Sequence, residues 1–583
     1  MESKENQFVL GISCFYHDSA ACLIKDGIVI AAAEEERFTR KKHDTSFPIN
    51  AIHYCLKEGG ITAEQISYVA FYEKPLLKFE RILSQHLEMF PKSFFAFYKA
   101  LPSWLNEKLR VPSVIRKKLR YKGEILFIEH HLAHAASSFL VSPFEEAAIL
   151  TVDGVGEWAT ASYGFGKGND ITLLKELKFP HSVGLLYSTV TAHLGFSVNN
   201  SEYKVMGLSP YGNPIYYENF KKVVDIKEDG SIEFDMSYFD YHYKLTMPSK
   251  KFEQEFGKTR KPHEEVTQKH KDIAASLQKI TEEIIFKMLN HLYNETKMEN
   301  LCMAGGVALN SVANGKITKN TPFKKVWIQP SASDAGTSLG AAAYAYNSIL
   351  GNKRKYEMKT AYLGPSFSTE HVQDFLDKNK IVYKKFKDDN ALIKLTAKLL
   401  FESNVIGWFE GRMEWGPRAL GARSILSNAS NPDMKDILNL KVKHRENFRP
   451  FAPVISKEDV HDYFEIDKDE EPFMLFVYPF KEKVRHLVPS VVHVDGSGRL
   501  QTTSKEENYL YYGVIKEFEK LSKVPILINT SFNIRGEPIV CTPEDAYRCM
   551  MGTGIDYLVM DKFLVKRDDN SRDMWDSEKI ATD

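Results

Sequence analysis

Three short apolar runs at residues 8–13, 20–24 and 28–33 alternate with polar turns, and the pattern returns at 147–152, 158–164 and 171–177. Short apolar, β-rich runs bounded by Gly, Asp and Asn read as strands. Lys25-Asp26-Gly27 is a hairpin turn of the Asp-Gly type. Each copy is therefore strand, polar turn, strand, turn, strand. A repeated supersecondary unit marks internal duplication, and it predicts two related lobes enclosing a cleft. The first turn of each lobe, residues 14–19 and 153–157, would point into that cleft. Backbone N–H groups in such turns suit phosphate oxygens.

At 583 residues the chain exceeds what one hydrophobic core serves, so two or three domains are expected. Residues 351–368 are polar and contain Gly and Pro, which suits a linker. The predicted domains are 1–355 and 356–583. The 77 basic and 77 acidic residues cancel, which argues against a dedicated nucleic-acid binder. The six cysteines include no CxxC pair and read as reduced thiols of a cytoplasmic protein. A charged start that runs into a strand does not resemble a signal peptide. No run of about 18 apolar residues occurs, so no membrane span is expected.

His130 and His134 stand four residues apart in a stretch suited to a helix, which puts both imidazoles on one face. Asp153 ends an apolar strand just before Gly154. Two histidines and a carboxylate suit zinc, or iron where positions stay open. The same spacing also occurs in buried helices whose histidines are only hydrogen-bonded. Asp334, in a small-residue loop opening a helix, offers either a helix cap or a fourth ligand. Gly305 and Gly306 lie between a strand and a helix start, where backbone can approach a planar base or ribose. His17 lies in the first polar turn, as a turn cap or as an acid–base group titrating near neutral pH.

The rest of the first domain is plainer. The basic, aromatic stretch 76–121 reads as amphipathic helices with a snorkelling basic face. Residues 182–212 read as a loop-rich lining of the cleft or a surface loop. Residues 232–245 look hairpin-like, and 264–296 form one long helix with an apolar stripe.

Beyond the linker the character changes. Arg412, Arg418 and Arg423 crowd a glycine-rich loop, Lys441, Lys443, Arg445 and Arg449 follow, and Asp495–Thr502 and Asn529–Asn533 add small hydroxyl and amide groups. Arginine and lysine beside glycine and small hydroxyls build sites for phosphate-bearing ligands. The charged tail after Phe563 is expected to be loose.

Taken in order, Tyr16-His17-Asp18-Ser19-Ala20-Ala21, Glu35-Glu36-Arg37-Phe38, Lys41-Lys42-His43-Asp44, His130-x-x-x-His134, Asp153-Gly154, Gly305-Gly306-Val307-Ala308-Leu309-Asn310, Trp415-Gly416-Pro417-Arg418, Phe448-Arg449-Pro450-Phe451 and Asn529-Thr530-Ser531-Phe532-Asn533 resemble the NodU/CmcH O-carbamoyltransferases. The resemblance runs from about residue 8 to 560. It implies an α/β architecture: an N-terminal actin-like ATPase (ASKHA) duplicated domain, akin to the enzyme that makes threonylcarbamoyladenosine in tRNA, and a C-terminal YrdC-like α/β domain.

The reaction it implies is ATP-dependent. Carbamoyl phosphate and ATP give carbamoyladenylate, and the carbamoyl group then passes to a hydroxyl of a small-molecule acceptor, a natural product or a glycan. Arg418, Arg449 and Asn529 would hold carbamoyl phosphate. Arg499, Ser531 and Lys443 would contact ATP. Lys42, Gly305, Gly306 and Asn310 would seat the carbamoyladenylate, with His17 as general base. A divalent metal, iron first with zinc or manganese as alternatives, would sit on His130, His134, Asp153 and Asp334, and Mg would accompany ATP. No nucleic-acid or membrane partner is implied, and a homodimer is compatible. Threonylcarbamoyl-type tRNA modification and an actin-like-fold small-molecule kinase are the alternatives.

Overall fold

The computed structural model describes residues 6–571. The chain divides into two compact units. One runs to Glu35 and resumes from His43 to Met358; the other takes Glu36–Lys42 and everything from Lys359.

The first unit contains the duplication. Strands β1 (Phe8–Ser13), β2 (Ala20–Lys25) and β3 (Ile28–Glu34) are antiparallel, and β4 (Tyr68–Phe71) and β5 (Glu124–Phe127) extend the sheet in parallel on the other side of β1. Strands β6 (Glu146–Val152), β7 (Ala159–Lys167) and β8 (Asp170–Lys178) repeat this arrangement. There β9 (Asn300–Ala304) and β10 (Lys325–Ile328) take the parallel places beside β6. Both sheets thus have the order third, second, first, fourth, fifth. That repeated order is the internal duplication expected from the repeated hairpins.

Strand β1 is buried along its whole length, as the centre of a sheet covered on both faces must be. A helix follows the last strand of each sheet: α2 (His130–Phe139) after β5 and α3 (Gly336–Tyr344) after β10, with α1 (Pro75–Met89) earlier, between β4 and β5. Glycine lets these helices close in. A Cβ at Gly340 would stand 1.8 Å from the Ala133 carbonyl oxygen, and one at Gly11 would stand 1.8 Å from that of Ser338. Backbone-to-backbone contact fixes the starts of α2 and α3, where the candidate ligands lie.

Some expectations change. Residues 182–212 hold two helices, Val183–His193 and Glu202–Leu208. Val183–His193 is buried on most sides, so its sequence shows no amphipathic period; its signal is the cap, where Ser182 Oγ accepts from Leu185 N at 3.0 Å. The hairpin placed at 232–245 pairs Val224–Ile226 with Ile232–Phe234 instead. The long helix spans Gln268–Thr296.

The second unit centres on a mixed eight-stranded sheet in the order 383–385, 563–566, 557–560, 406–409, 423–428, 526–531, 452–456, 501–503. Helices Asp389–Phe401 and Tyr509–Ser522 share a core with it through Leu392, Ile393, Trp408, Leu426, Val514 and Phe518. Phe563–Lys566 is thus a strand and not the start of a loose tail, because it closes a hairpin with Tyr557–Met560. Residues 572–583, the remainder of that tail, lie outside the described residues.

Candidate active site

His130 and His134 lie on the first turns of α2, fully buried, and their Nε2 atoms face each other at 3.1 Å. Asp153 leaves the end of β6 and brings Oδ2 within 3.3 Å of His130 Nε2 and 3.9 Å of His134 Nε2. Asp334, two residues before α3, sets Oδ1 3.7 Å from His130 Nε2 and 3.5 Å from His134 Nε2. One donor atom from each of the four residues falls within a 4.8 Å span.

Asp334 does not cap α3. Neither of its carboxylate oxygens has a hydrogen-bond partner although the side chain is buried. A buried carboxylate without a donor is costly. Two imidazole nitrogens are turned toward each other and toward the two carboxylates. The donor set, two nitrogens and two carboxylate oxygens, fits a divalent ion such as zinc, iron or manganese. Burial alone would raise the Asp153 carboxyl, but His130, His134 and the Gly306 N–H hold it well below its usual range. Burial likewise opposes, and His17 and His130 outweigh it in, the lowered Asp334. His130 is raised, Asp334 and Asp153 overcoming its burial. His131 between the ligands is held neutral, pushed to about 3 by burial and the two flanking histidines, and its Nδ1 meets Thr151 Oγ1 at 2.7 Å.

The first turn of the other sheet reaches the same place. His17 Nε2 lies 3.6 Å from Asp334 Oδ2, and its Nδ1 lies 3.0 Å from Asp18 Oδ2. The other Asp18 oxygen is 2.6 Å from His43 Nδ1, whose Nε2 is 3.0 Å from Asn200 Oδ1. Phe15 and Asp18 hold left-handed backbone (φ 74° and 52°), strain of roughly 1–3 kcal/mol per residue that persists only where surroundings impose it. Here Phe15 N donates to Thr45 O at 2.9 Å and Ser19 N to Asp44 O at 3.0 Å. Burial would lower His17, but Asp334 and Asp18 reverse this and hold it well above its ordinary value.

Gly306 N donates to Asp153 Oδ1 at 2.8 Å, so the double glycine orients a ligand carboxylate. Asn310 is committed elsewhere: its amide exchanges hydrogen bonds of 3.0 and 3.1 Å with Gln278 and caps the helix of Ala313. Lys42 belongs to the second unit and Gly305, Gly306 and Asn310 to the first.

In the second unit, Lys443 and Ser531 meet. Lys443 Nζ donates to Ser531 O, to Asn533 Oδ1 at 2.9 Å and to Asn533 O at 3.1 Å, and lies 3.4 Å from Ser531 Oγ. Burial, then Arg445, Arg449 and Lys42, hold this amine well below its ordinary value. Asn529 donates to Ala419 O at 3.0 Å and to Gln501 Oε1 at 2.6 Å, beside the loop of Arg418, and its own Oδ1 is buried without a partner. Glu414 shapes that loop by accepting from the backbone of Leu420, Ala422 and Arg423 at 2.8, 2.7 and 3.0 Å. Arg449 Nη1 lies 3.6 Å from Glu446, and Arg499 ends the short strand Ser497–Arg499. Asp18, His43, Glu414 and Gln501 are the site residues that sequence reasoning left without a role.

Residues 8–343 match the family profile described as Carbamoyltransferase N-terminus, and 397–567 that described as Carbamoyltransferase C-terminus. The chain belongs to the carbamoyltransferase family. An uncharacterized protein of Synechocystis is 47% identical to this carbamoyltransferase over 595 residues, covering 96% of each chain. The nodulation protein NolNO of Sinorhizobium fredii is 36% identical over 572 residues, 96% of this chain and 80% of its own. An uncharacterized protein of Methanocaldococcus jannaschii is 30% identical over 636 residues, 96% of this chain and 99% of its own. The carbamoyltransferase is therefore an enzyme of the NodU/CmcH type, with a four-residue cluster able to hold a metal. Among its described residues no helix is long and apolar enough to cross a membrane.

Proposed function

We propose that this carbamoyltransferase works in two stages, one in each unit. The second unit, read as a YrdC-like domain, takes carbamoyl phosphate on Arg418, Arg449 and Asn529, and ATP with its Mg on Arg499, Ser531 and Lys443. Water opens carbamoyl phosphate to carbamate and phosphate. A carbamate oxygen then attacks the α-phosphorus of ATP, and pyrophosphate leaves. The product, carbamoyladenylate, offsets the poor electrophilicity of a carbonyl into which nitrogen donates, because AMP is a good leaving group.

In the first unit, Gly305 and Gly306 offer backbone to the adenylate, with Asn310 bracing the turn that follows them. Lys42, in the second unit, is assigned to the carbamoyladenylate formed there. His130, His134, Asp153 and Asp334 would hold a divalent cation, which would supply Lewis-acid charge for the adenylate phosphate and counter the Asp334 field that raises His17. The neutral His17 imidazole takes the proton of the acceptor hydroxyl as its oxygen attacks the carbamoyl carbon. The C–O bond of the carbamate ester forms, the bond to AMP breaks, and AMP departs. Asp18 orients His17 through Nδ1, so that Nε2 faces the acceptor.

The observation that carries this reading is the approach of His17 Nε2 to within 3.6 Å of a carboxylate of the four-ligand cluster. An imidazole beside the charge that would anchor the adenylate supports the role of His17 as base. The test is to supply ATP and carbamoyl phosphate alone and assay pyrophosphate and an adenylate mass. His17→Ala should keep both and lose transfer to a hydroxyl by about 10²–10⁴-fold. Release of ADP in place of pyrophosphate would overturn the two-stage reading and favour a kinase.

A further inference from the structure

Helix α1 carries two cations on the same face, Lys78 and Arg81, and both are buried, at 4% and 6% exposure. Lys78 is answered. Its Nζ lies 2.5 Å from Glu73 Oε2 and 4.8 Å over the ring of Tyr16. Arg81 is not. Its guanidinium lies 4.8 Å over the ring of Phe179, its Nε is enclosed without a hydrogen-bond partner, and among the described residues no carboxylate comes within ion-pair distance of it.

The nearby acids are already used. Glu73 holds Lys78. Glu157 accepts from Lys74 N at 2.8 Å and from His130 N at 3.1 Å. Burial lowers Arg81 to about 10, and the group that most offsets this is Tyr16, ahead of Glu73 and Glu157. Tyr16 is the neighbour of His17, with ring centroids 4.8 Å apart. Its hydroxyl also has no hydrogen-bond partner among the described residues. Tyr16 thus meets both His17 and this face of α1, where its ring lies 4.8 Å from Lys78 Nζ, one turn before Arg81. An unpaired buried cation is costly, and a planar guanidinium stacked on an aromatic ring is pre-organised for a carboxylate or a phosphate.

We propose that Arg81, stacked on Phe179 on the helix face that meets Tyr16, binds an anionic group of the acceptor, a carboxylate or a phosphate, and thereby presents the acceptor hydroxyl to His17. The inference rests on the assignment of His17 as base, and it names the acceptor class: a hydroxyl compound that is also an acid. Arg81 is then a specificity residue, and Phe179 supplies the flat surface that keeps its guanidinium in place.

The test uses the full chain with ATP, carbamoyl phosphate and matched probes: glucose, gluconate and glucose 6-phosphate, and glycerol, glycerate and glycerol 3-phosphate. Carbamoylated products are read by mass. Product is expected from the acids and not from glucose or glycerol, and the preference between gluconate and glucose 6-phosphate tells carboxylate from phosphate. For the best acid, Arg81→Met should raise KM at least tenfold with a much smaller change in kcat, and Arg81→Lys should recover part of the loss. Arg81→Lys also keeps the charge if Arg81→Met fails to fold. Preference for a neutral probe, no product from any acid, or an unchanged KM in both variants overturns the proposal. Pyrophosphate release by the wild type without acceptor is a separate check: its absence sinks the two-stage reading instead.

Discussion

His17 Nε2 and Asp334 Oδ2 stand 3.6 Å apart, one in the first turn of the first sheet and the other in the loop before the helix that ends the second. The duplicated fold brings them together because α3 packs on β1 through Gly11. The base and two of the four ligands from one half therefore share one site with the other two ligands from the other half. Neither half is complete alone, since His130 and His134 follow the first sheet while Asp153 and Asp334 follow strands of the second.

The cluster should be separable from adenylate formation. His130→Ala and Asp334→Asn each remove one of four donors. Purified protein should then carry less metal by elemental analysis and lose carbamoyl transfer, while pyrophosphate release from ATP and carbamoyl phosphate continues. Equal loss of both half-reactions would contradict the division of labour between the units.

Asp18 and His43 form a chain behind the base: Asn200, His43, Asp18, His17, with contacts of 3.0, 2.6 and 3.0 Å. A carboxylate that orients a catalytic histidine fixes which nitrogen faces the substrate, and loss of such a partner costs up to about 10⁴-fold in kcat. Asp18→Asn should lower the kcat of transfer by at least about tenfold, with KM for the acceptor nearly unchanged. His43→Gln should do less, because Asp18 still holds His17. A KM effect in Asp18→Asn without a kcat effect would remove Asp18 from this role.

Much of this was legible in the chain itself. The repeated hairpins gave the two sheets, and the four-residue spacing of His130 and His134 put both rings on one helix face. Asp153 was readable at a strand end because Gly154 follows it. What sequence could not supply was pairing across loops. His43 meets Asp18 only because residues 44–45 fold back on a left-handed turn. Asn310 was read as a ligand contact, yet Gln278, far away on the long helix, occupies its amide. Lys78 and Arg81 belong to a stretch that reads as amphipathic helices with a snorkelling basic face, since the sequence does not say which side of α1 is covered. The helix at Val183–His193 was hidden by burial on most sides, which erases periodicity.

Gly340 tests whether the close approach of α2 and α3 sets the cluster. A methyl group there would meet the Ala133 carbonyl at 1.8 Å, next to His134. Gly340→Ala should destabilise the chain by about 1–3 kcal/mol, or more if the helices cannot separate. It should also cut metal content, because the movement falls on His134 and Asp334. A lower Tm with full metal loading would show that the cluster tolerates the shift.

Lys443 couples stability to pH. Its amine is buried among carbonyl, hydroxyl and amide oxygens, with Arg445, Arg449 and Lys42 adding repulsion, so its folded pKa lies well below the ordinary 10.5. The sign follows from proton counting. Between the folded and the unfolded pKa the unfolded chain binds the extra proton, so stability rises with pH across that window. Below the folded pKa the cost of burying the cation is present in full. Wild-type unfolding free energy, measured by urea titration, should therefore climb toward pH 10 more steeply than that of Lys443→Met. The same substitution should suppress pyrophosphate release, because the buried amine is the proposed contact for ATP. An anion bound there would answer the charge, so ATP should stabilise the wild type more at neutral pH than near pH 10. Parallel pH profiles for wild type and variant would mean that the amine keeps its ordinary pKa in the folded chain, and would overturn this account of Lys443.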